Sequence, residues 1–516
     1  MIILGREIGR VKQSEGDMVI LVTTTNEPLS YGQLIKIHGE DEFKVYYSRI
    51  TNAGSKSTLE EVPELQDLKG SMRTVGPYSQ YRYIEAVVFL EKRMDGLVRA
   101  PTLNPDYGWF VETLDETDYE ALKLSGRLEI GYLRSGEQEI RKNVGIDVEN
   151  IPRMMAIVGQ IGSGKTNAEL VLNSSIMFTE GEAVGLIFDF AGELLTGKEI
   201  GKGLADHPYA QENLVYYGLE KPERKVPYGF IQIGLRKLTP KDLWALIPDL
   251  TYPQEHYAEK LYQKIGSSDW ITKVVNTYKV EDVEGVTNLA PTKQKGVVEA
   301  FLRKISSLNE KIFVDVEYDF TYSVIENLAS GKTVLVDISG LREETQKQVV
   351  CWVAKKVVEY YRELWRKNFD AWKRLPYLLI TLEEAHKFLS EKNTVFSDIA
   401  LTYRKYRVGL NAVTPRPSGI NKDVFAELWT KIILKTTLKE DRKYLSENTP
   451  YLEYSDTELK MLDVGEALLV SQPKIHFAVP IKIFDFKEYL DEYPSKKKEK
   501  PSLTMIKRSK IEENVI

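Results

Sequence analysis

The stretch Met154–Phe178, MMAIVGQIGSGKTNAELVLNSSIMF, decides the fold. Five apolar residues, Met154–Val158, run into Gly159–Thr166, GQIGSGKT, which matches G-x-x-x-x-G-K-[ST] without a gap. A stretch able to form a helix follows, with Leu172 and Ile176 on one face. Strand, glycine loop and helix is the context this motif requires. The glycines let successive N–H groups converge on phosphate oxygens, and the helix N-terminus adds partial positive charge. The expected nucleotide contacts are Gly159, Gln160, Ile161, Gly162, Ser163, Gly164, Lys165, Thr166 and Asn167. Lys165 supplies a point charge to the β- and γ-phosphates, and Thr166 a hydroxyl to Mg²⁺. The stretch therefore implies that the chain binds ATP with Mg²⁺.

A second stretch completes that chemistry. Leu378–Leu389, LLITLEEAHKFL, carries an apolar run into two adjacent glutamates and a histidine. Carboxylates are costly to bury without a partner. A phosphate loop supplies one, because hydrolysis needs a carboxylate for the Mg²⁺ shell and a general base for the attacking water. Glu383 fits the first role and Glu384 the second; both can face the nucleotide where the chain turns at a strand end. His386 reads equally as structural or catalytic.

Working outward, apolar runs recur after about Asn143: AVGLIFDF, KTVLVDIS, YLLITLEE, GLNAVTP and KIILKT. Such runs, alternating with helical stretches, predict a parallel sheet covered on both faces, an α/β architecture. Before about Gly131 the runs are short and alternating (DMVILVTTT, FKVYYSRI, YIEAVVFLE), as expected of a small antiparallel β-barrel or sandwich. Residues 236–308 hold helix formers without such a strand and read as a helical insertion. The expected organisation is a barrel over 1–131, an ATPase core over 132–235 and 309–483 interrupted by that insertion, and a basic mobile tail over 484–516.

Composition is that of a globular chain, 42% apolar and 28% charged, and a length of 516 residues exceeds one ordinary core. The net charge of −6 gives no global drive toward nucleic acid, so any basic surface must be local. The single cysteine, Cys351, allows no internal disulfide and reads as a buried structural thiol. No apolar run approaches the roughly 18 residues that span a bilayer, and MIILGREIGR lacks a signal-peptide cleavage site, so a cytoplasmic protein without a membrane partner is expected.

These residues resemble the HerA family of DNA translocases, within the HerA–FtsK group of P-loop motors. The resemblance runs through NIPRMMAIVGQIGSGKT, LIFDFAGEL, TVLVDISGL, ITLEEAHKFL, YRKYRVGLNAVTPRPSGI, KIILKTTLKEDRKYL and LDVGEALLV, collinear from about Leu128 to Ile483. ILGREIGRVKQ is similar, more weakly, to the family's small barrel. The resemblance implies a RecA-like P-loop motor with a parallel core sheet, an N-terminal small β-barrel and a helical insertion. It implies that Asp189 lies near the nucleotide and its water, that Arg404 reaches a neighbour's γ-phosphate, and that Arg153 acts at the same boundary. It further implies a homohexamer on double-stranded DNA and a NurA-type nuclease partner in DNA end processing. Alternatives within reach are a motor for DNA transfer or packaging and a nucleotide-gated ring with low turnover.

Two positions depart from the family pattern. Pro415 stands where a glutamine sensor is usual, and proline has no side-chain donor and no N–H; Thr414 or Arg416 are the residues that could compensate. Arg407 stands where glycine is common. For DNA contacts, Lys392 in the loop Ser390–Val395 reads as a channel cation or as part of an ordinary solvated loop. Lys496, Lys497, Lys498 and Lys500 read as phosphate contacts or as a solubilising tail.

Overall fold

Six antiparallel strands open the chain and close on themselves. In the computed structural model, which describes residues 5–23, 29–40, 43–57, 80–236, 238–247, 250–309, 311–392 and 394–497, they are Glu7–Glu15, Met18–Thr23, Leu34–His38, Lys44–Ser57, Gln80–Arg93 and Phe110–Thr113. Met18–Thr23 pairs with both Glu7–Glu15 and Gln80–Arg93, which closes the barrel. Alternation puts Ile8, Val11, Val19, Leu21, Ile35 and Ile37 inside.

The motor is a 12-stranded sheet. Eight strands run parallel in the order Tyr228–Phe230, Leu214–Gly218, Thr333–Asp337, Ala183–Asp189, Tyr377–Leu382, Val408–Thr414, Met155–Val158 and Thr430–Leu434. Six of them, all but Tyr228–Phe230 and Leu214–Gly218, are the near-continuous apolar runs of the sequence, buried almost throughout. Four antiparallel strands extend the sheet: Glu466–Ser471, Val479–Ile483, Leu128–Ser135 and Gln138–Ile146. Residues 128–131 thus belong to the large sheet, because the strand they open pairs with Val479–Ile483. The alternating pattern that suggested the barrel is shared by any strand and does not name its sheet.

The insertion is helical: Leu243–Leu246, Tyr252–Ile265, Trp270–Leu289 and Lys295–Ile305. Its neck is a two-residue parallel pairing, Ile233–Gly234 with Phe313–Val314, and Trp270 Nε1 donates to Leu238 O at 2.7 Å. Trp270, Val274, Phe301 and Leu302 join the same apolar core as the motor strands. Cys351 is buried in the helix Glu343–Lys367, where burial pushes its thiol up to about 12.

The tail expectation needs correction. Phe486–Lys497 is a helix rather than a mobile extension, anchored by buried Phe486, Tyr489 and Leu490, with Tyr489 stacked on Phe484 at 4.9 Å. Spacing of three and four residues puts these side chains on one face, and the charges between them mask it. Lys498 and Lys500, with the side chains of Lys496 and Lys497, lie outside the described residues. Among the described residues, no helix is long and apolar enough to cross a membrane.

A barrel strand is bolted to the motor by buried charge. Glu458 accepts from Arg49 Nη1 at 2.9 Å and from Arg134 Nη2 at 3.0 Å, and Arg49 Nη2 also reaches Ser455 Oγ at 2.7 Å. All three charged side chains are less than one-tenth exposed.

Candidate nucleotide site

The phosphate loop leaves the central strand Met155–Val158 and enters the helix Lys165–Met177. Gly159, Gly162 and Gly164 hold φ of 158°, 77° and 101°, a backbone that side chains disfavour. A Cβ at Gly159 would meet Leu434 Cβ and Ser163 Oγ, both at 2.8 Å, whereas Gly162 faces open space. Lys165 Nζ donates to Gln160 O at 2.9 Å, so the loop folds back on its own lysine. Gln160 Oε1 accepts from Thr437 Oγ1 at 2.6 Å, and Gly465 N–H donates to Ser163 O at 3.1 Å. The loop is thereby fixed by the segment that follows Thr430–Leu434 and the one that precedes Glu466–Ser471. Ile161 projects into solvent, and Asn167 spends its side chain on the C-terminal helix, with Nδ2 on Phe484 O at 2.8 Å and Oδ1 accepting from Phe486 N at 3.0 Å. Asn167 can therefore offer a nucleotide only its backbone.

Glu383 and Glu384 follow the strand Tyr377–Leu382, two places from the loop strand. Glu383 is half-buried and accepts the N–H of Phe190 at 2.9 Å; desolvation and the charge of Asp189 hold its carboxyl well above the ordinary range. Glu384 adopts φ 49°, ψ 35°, a left-handed turn that swings its carboxylate outward, 42% exposed. The turn explains how adjacent residues serve one site. Burial lowers the Lys165 pKa, and Glu384, Glu169 and Glu383 oppose that. The lysine thus feels both members of the pair. His386 Nδ1 lies 3.6 Å from Glu384 Oε2 and 3.1 Å from Thr414 Oγ1. Thr414, at the end of its strand, thereby sets a hydroxyl against His386, one side chain from Glu384, beside Pro415, which offers none.

Other expectations fare differently. Asp189 ends its strand at the same edge, but both oxygens are turned onto backbone: Oδ1 accepts from Ala191, Gly192 and Glu193, and Oδ2 from Leu194 at 2.9 Å. These bonds fold the loop that presents Phe190 N–H to Glu383. Lys392, offered as a channel cation, is paired with Asp423. Arg407 takes the left-handed φ of 67° where glycine would be free of strain, offset by Nη1 bonds to Lys373 O and Leu375 O at 2.7 and 2.8 Å.

Two residues were missed. Glu169, one turn beyond Lys165, is fully buried with both oxygens lacking a hydrogen-bond partner, and burial raises its carboxyl well above the ordinary value. Its four-residue spacing from Lys165, on a helix of otherwise apolar or small buried residues, was the available signal. Trp429 is the second. Arg404 Cζ lies 4.5 Å and Arg153 Cζ 5.1 Å from its ring centroid.

The donor set suits a hard cation. Among the described residues no group of three or more His, Cys, Asp or Glu side chains could hold a metal. Mg²⁺ at such sites takes one or two carboxylates and completes its shell with phosphates and water. Glu383 offers one such carboxylate, and Thr166, in the first turn of the helix Lys165–Met177, a hydroxyl.

Residues 128–357 match the family model for “Helicase HerA, central domain”. The chain is 24% identical over 497 residues to a “DNA double-strand break repair helicase HerA” of Sulfurisphaera tokodaii, covering 91% of this chain and 90% of that one. It is 26% identical over 400 residues to the protein of the same name from Sulfolobus acidocaldarius, with 75% of each covered. Among solved structures it is similar, at 13% identity and a TM-score of 0.46, to the plasmid coupling protein TrwB in complex with ADP and Mg²⁺, covering 66% of this chain and 87% of that one.

Proposed function

We propose that the chain is a HerA-type P-loop ATPase, an ATP-driven motor that moves along or unwinds duplex DNA. One placement carries the reading. Lys165, Thr166, Glu383 and Glu384 lie at the C-terminal ends of the parallel strands, where ligands of such sheets bind. Arg153 and Arg404 precede the strands Met155–Val158 and Val408–Thr414, at the opposite end. At about 3.3 Å per residue, the shorter of these strands alone spans about 13 Å. Neither arginine can reach its own γ-phosphate. Each can serve the nucleotide of a neighbour, and head-to-tail contact repeated by rotation closes a ring. We take that ring to be a homohexamer with duplex DNA in its channel.

In the shared site, a water oxygen joins the γ-phosphorus while the bond to the β–γ bridging oxygen breaks and ADP leaves. Glu384, the exposed member of the pair, takes the water's proton. Lys165 and the loop N–H groups hold the β- and γ-phosphates. The neighbour's Arg404 and Arg153 stabilise charge developing on the transferred group. Thr166 and Glu383 would hold Mg²⁺, which when bound would supply charge neutralisation there.

A NurA-type nuclease is the proposed partner at DNA ends, docking on the barrel. An open cleft there, lined by Phe43, Tyr46, Leu103, Tyr107 and Trp109, leaves Phe43, Leu103 and Tyr107 largely exposed, which supports a docking role. Pro415 favours a second reading, a nucleotide-gated ring with low turnover. ATPase rates with and without duplex DNA separate the two: stimulation by DNA supports the motor, and a slow rate indifferent to DNA the gated ring. Loss of nuclease pull-down on Tyr107→Asp tests the docking face.

A further inference from the structure

Arg153, Trp429 and Arg404 come from the N-terminal ends of three neighbouring parallel strands and converge on one indole. The backbone fixes the arrangement, since Trp429 N–H donates to Arg153 O at 3.1 Å and Thr430 N–H to Met154 O at 3.2 Å. Arg404 rides on the turn Tyr403–Tyr406, whose two buried tyrosines pack at 5.3 Å between ring centroids. Arg49 and Arg134 share Glu458, and Arg442 has Asp456. Arg153 and Arg404, among the described residues, pair with no carboxylate. Two cations on one ring repel, and burial together with the charge of Arg404 lowers the Arg153 pKa. An anion brought from outside the subunit relieves that repulsion.

We propose that Trp429 is a positioning residue whose indole holds Arg153 and Arg404 as one preassembled two-pronged clamp for the γ-phosphate bound by the next subunit. The inference rests on the shared-site reading above. Long arginine side chains lose much rotamer freedom when fixed on a ligand, and stacking on a rigid ring removes part of that loss in advance. Indole is the strongest of the aromatic faces for this purpose.

The test is steady-state ATPase of the full-length ring. Trp429→Ala should lower kcat by about 10- to 100-fold, the loss of one or two cation–π contacts, with the KM for ATP nearly unchanged. Trp429→Phe should recover most of the rate. Trp429→Leu, which fills volume without a π face, should behave like the alanine variant and replaces it if that variant unfolds. A readout that a merely structural role would not move comes from mixing. Rings of Trp429→Ala and Lys165→Ala subunits should regain ATPase, because intact pockets then meet intact clamps. Wild-type kcat in Trp429→Ala and Trp429→Leu overturns the inference. So does a dead mixture when Arg404→Ala with Lys165→Ala is active. If that last mixture also stays dead with mixed rings formed, the shared-site reading falls and takes this inference with it.

Discussion

Glu384 Oε2 lies 3.6 Å from His386 Nδ1, at the point where the Glu384 backbone turns left-handed and parts its carboxylate from that of Glu383. On the proposed mechanism the two glutamates take different roles. Glu384→Gln should bind Mg²⁺·ATP yet hydrolyse almost none, since an amide cannot take a proton from water. Glu383→Gln should instead raise the Mg²⁺ concentration needed for half-maximal binding. Fluorescent-nucleotide titration beside phosphate release distinguishes them, and the opposite pattern would reverse the assignment.

Lys165 is already bonded to Gln160 O at 2.9 Å, so the nucleotide meets a preformed loop. Lys165→Ala removes the charge facing the β- and γ-phosphates and should abolish turnover, with a large fall in ATP affinity. Because the loop is also held through Thr437 and Gly465, its thermal unfolding without nucleotide should change little. Calorimetry without and with ATP checks both halves.

Glu458 joins barrel to motor through Arg49 and Arg134. Glu458→Ala leaves the buried Arg49 guanidinium without its paired carboxylate and Arg134 with only Glu466, 3.9 Å from its Nε; breaking such a buried pair typically costs about 3–5 kcal/mol. Glu458→Gln keeps an acceptor for one guanidinium but turns an amide N–H toward the other, so it should recover only part of that loss. Denaturant unfolding of the three proteins measures the ordering; equal midpoints would mean that solvent relaxes into the joint.

How much of this was legible follows from what each signal encodes. Apolar runs such as Leu378–Leu382 announce buried parallel strands because nothing polar interrupts them. Leu214–Gly218, LVYYG, hides behind tyrosines whose hydroxyls find partners only in the fold, as Tyr216 does at Asp337, 2.9 Å away. The antiparallel strand Leu128–Ser135 pairs with Val479–Ile483, a partner that no local pattern names. At the site, the glycine loop and the glutamate pair were readable because each is contiguous. Asp189 was placed at the right strand end, but its loop curls back and takes up both oxygens. Arg153 and Arg404 came from resemblance, and their meeting on Trp429 needs three strands brought side by side.

Lys431 offers a pH test away from the site. It is buried in the strand Thr430–Leu434, donating to Leu428 O with its ammonium 4.8 Å from the Phe425 ring, and burial lowers its pKa to about 7. The folded value lies below the unfolded one of 10.5. Below pH 7 both states are charged and the folded chain bears the whole burial penalty; the penalty shrinks as pH rises toward the unfolded value. Lys431→Met should therefore stabilise by up to roughly 3–5 kcal/mol near pH 6, less the lost hydrogen bond, with the gain shrinking by pH 9.5. A Tm difference that does not fall across that range would show the lysine to be solvated.

The ring is tested most directly through Arg404, which stands on the far side of the sheet from Lys165. Arginines of this kind are typically worth about 10³ to 10⁵ in rate. Arg404→Ala should bind ATP and assemble, yet turn over almost nothing; Lys165→Ala subunits are dead in their own pockets but keep the arginine. In an equal random mixture, about one boundary in four joins an intact pocket to an intact arginine, given head-to-tail contacts. Independent sites then restore up to about a quarter of the wild-type rate, and sites that must fire in sequence restore less. An arginine acting within its own subunit leaves every pocket lacking one group, so the mixture stays inactive. With mixed rings demonstrated by subunit exchange, that silence would remove Arg404 from catalysis, whereas recovery fixes its target as the neighbour's γ-phosphate.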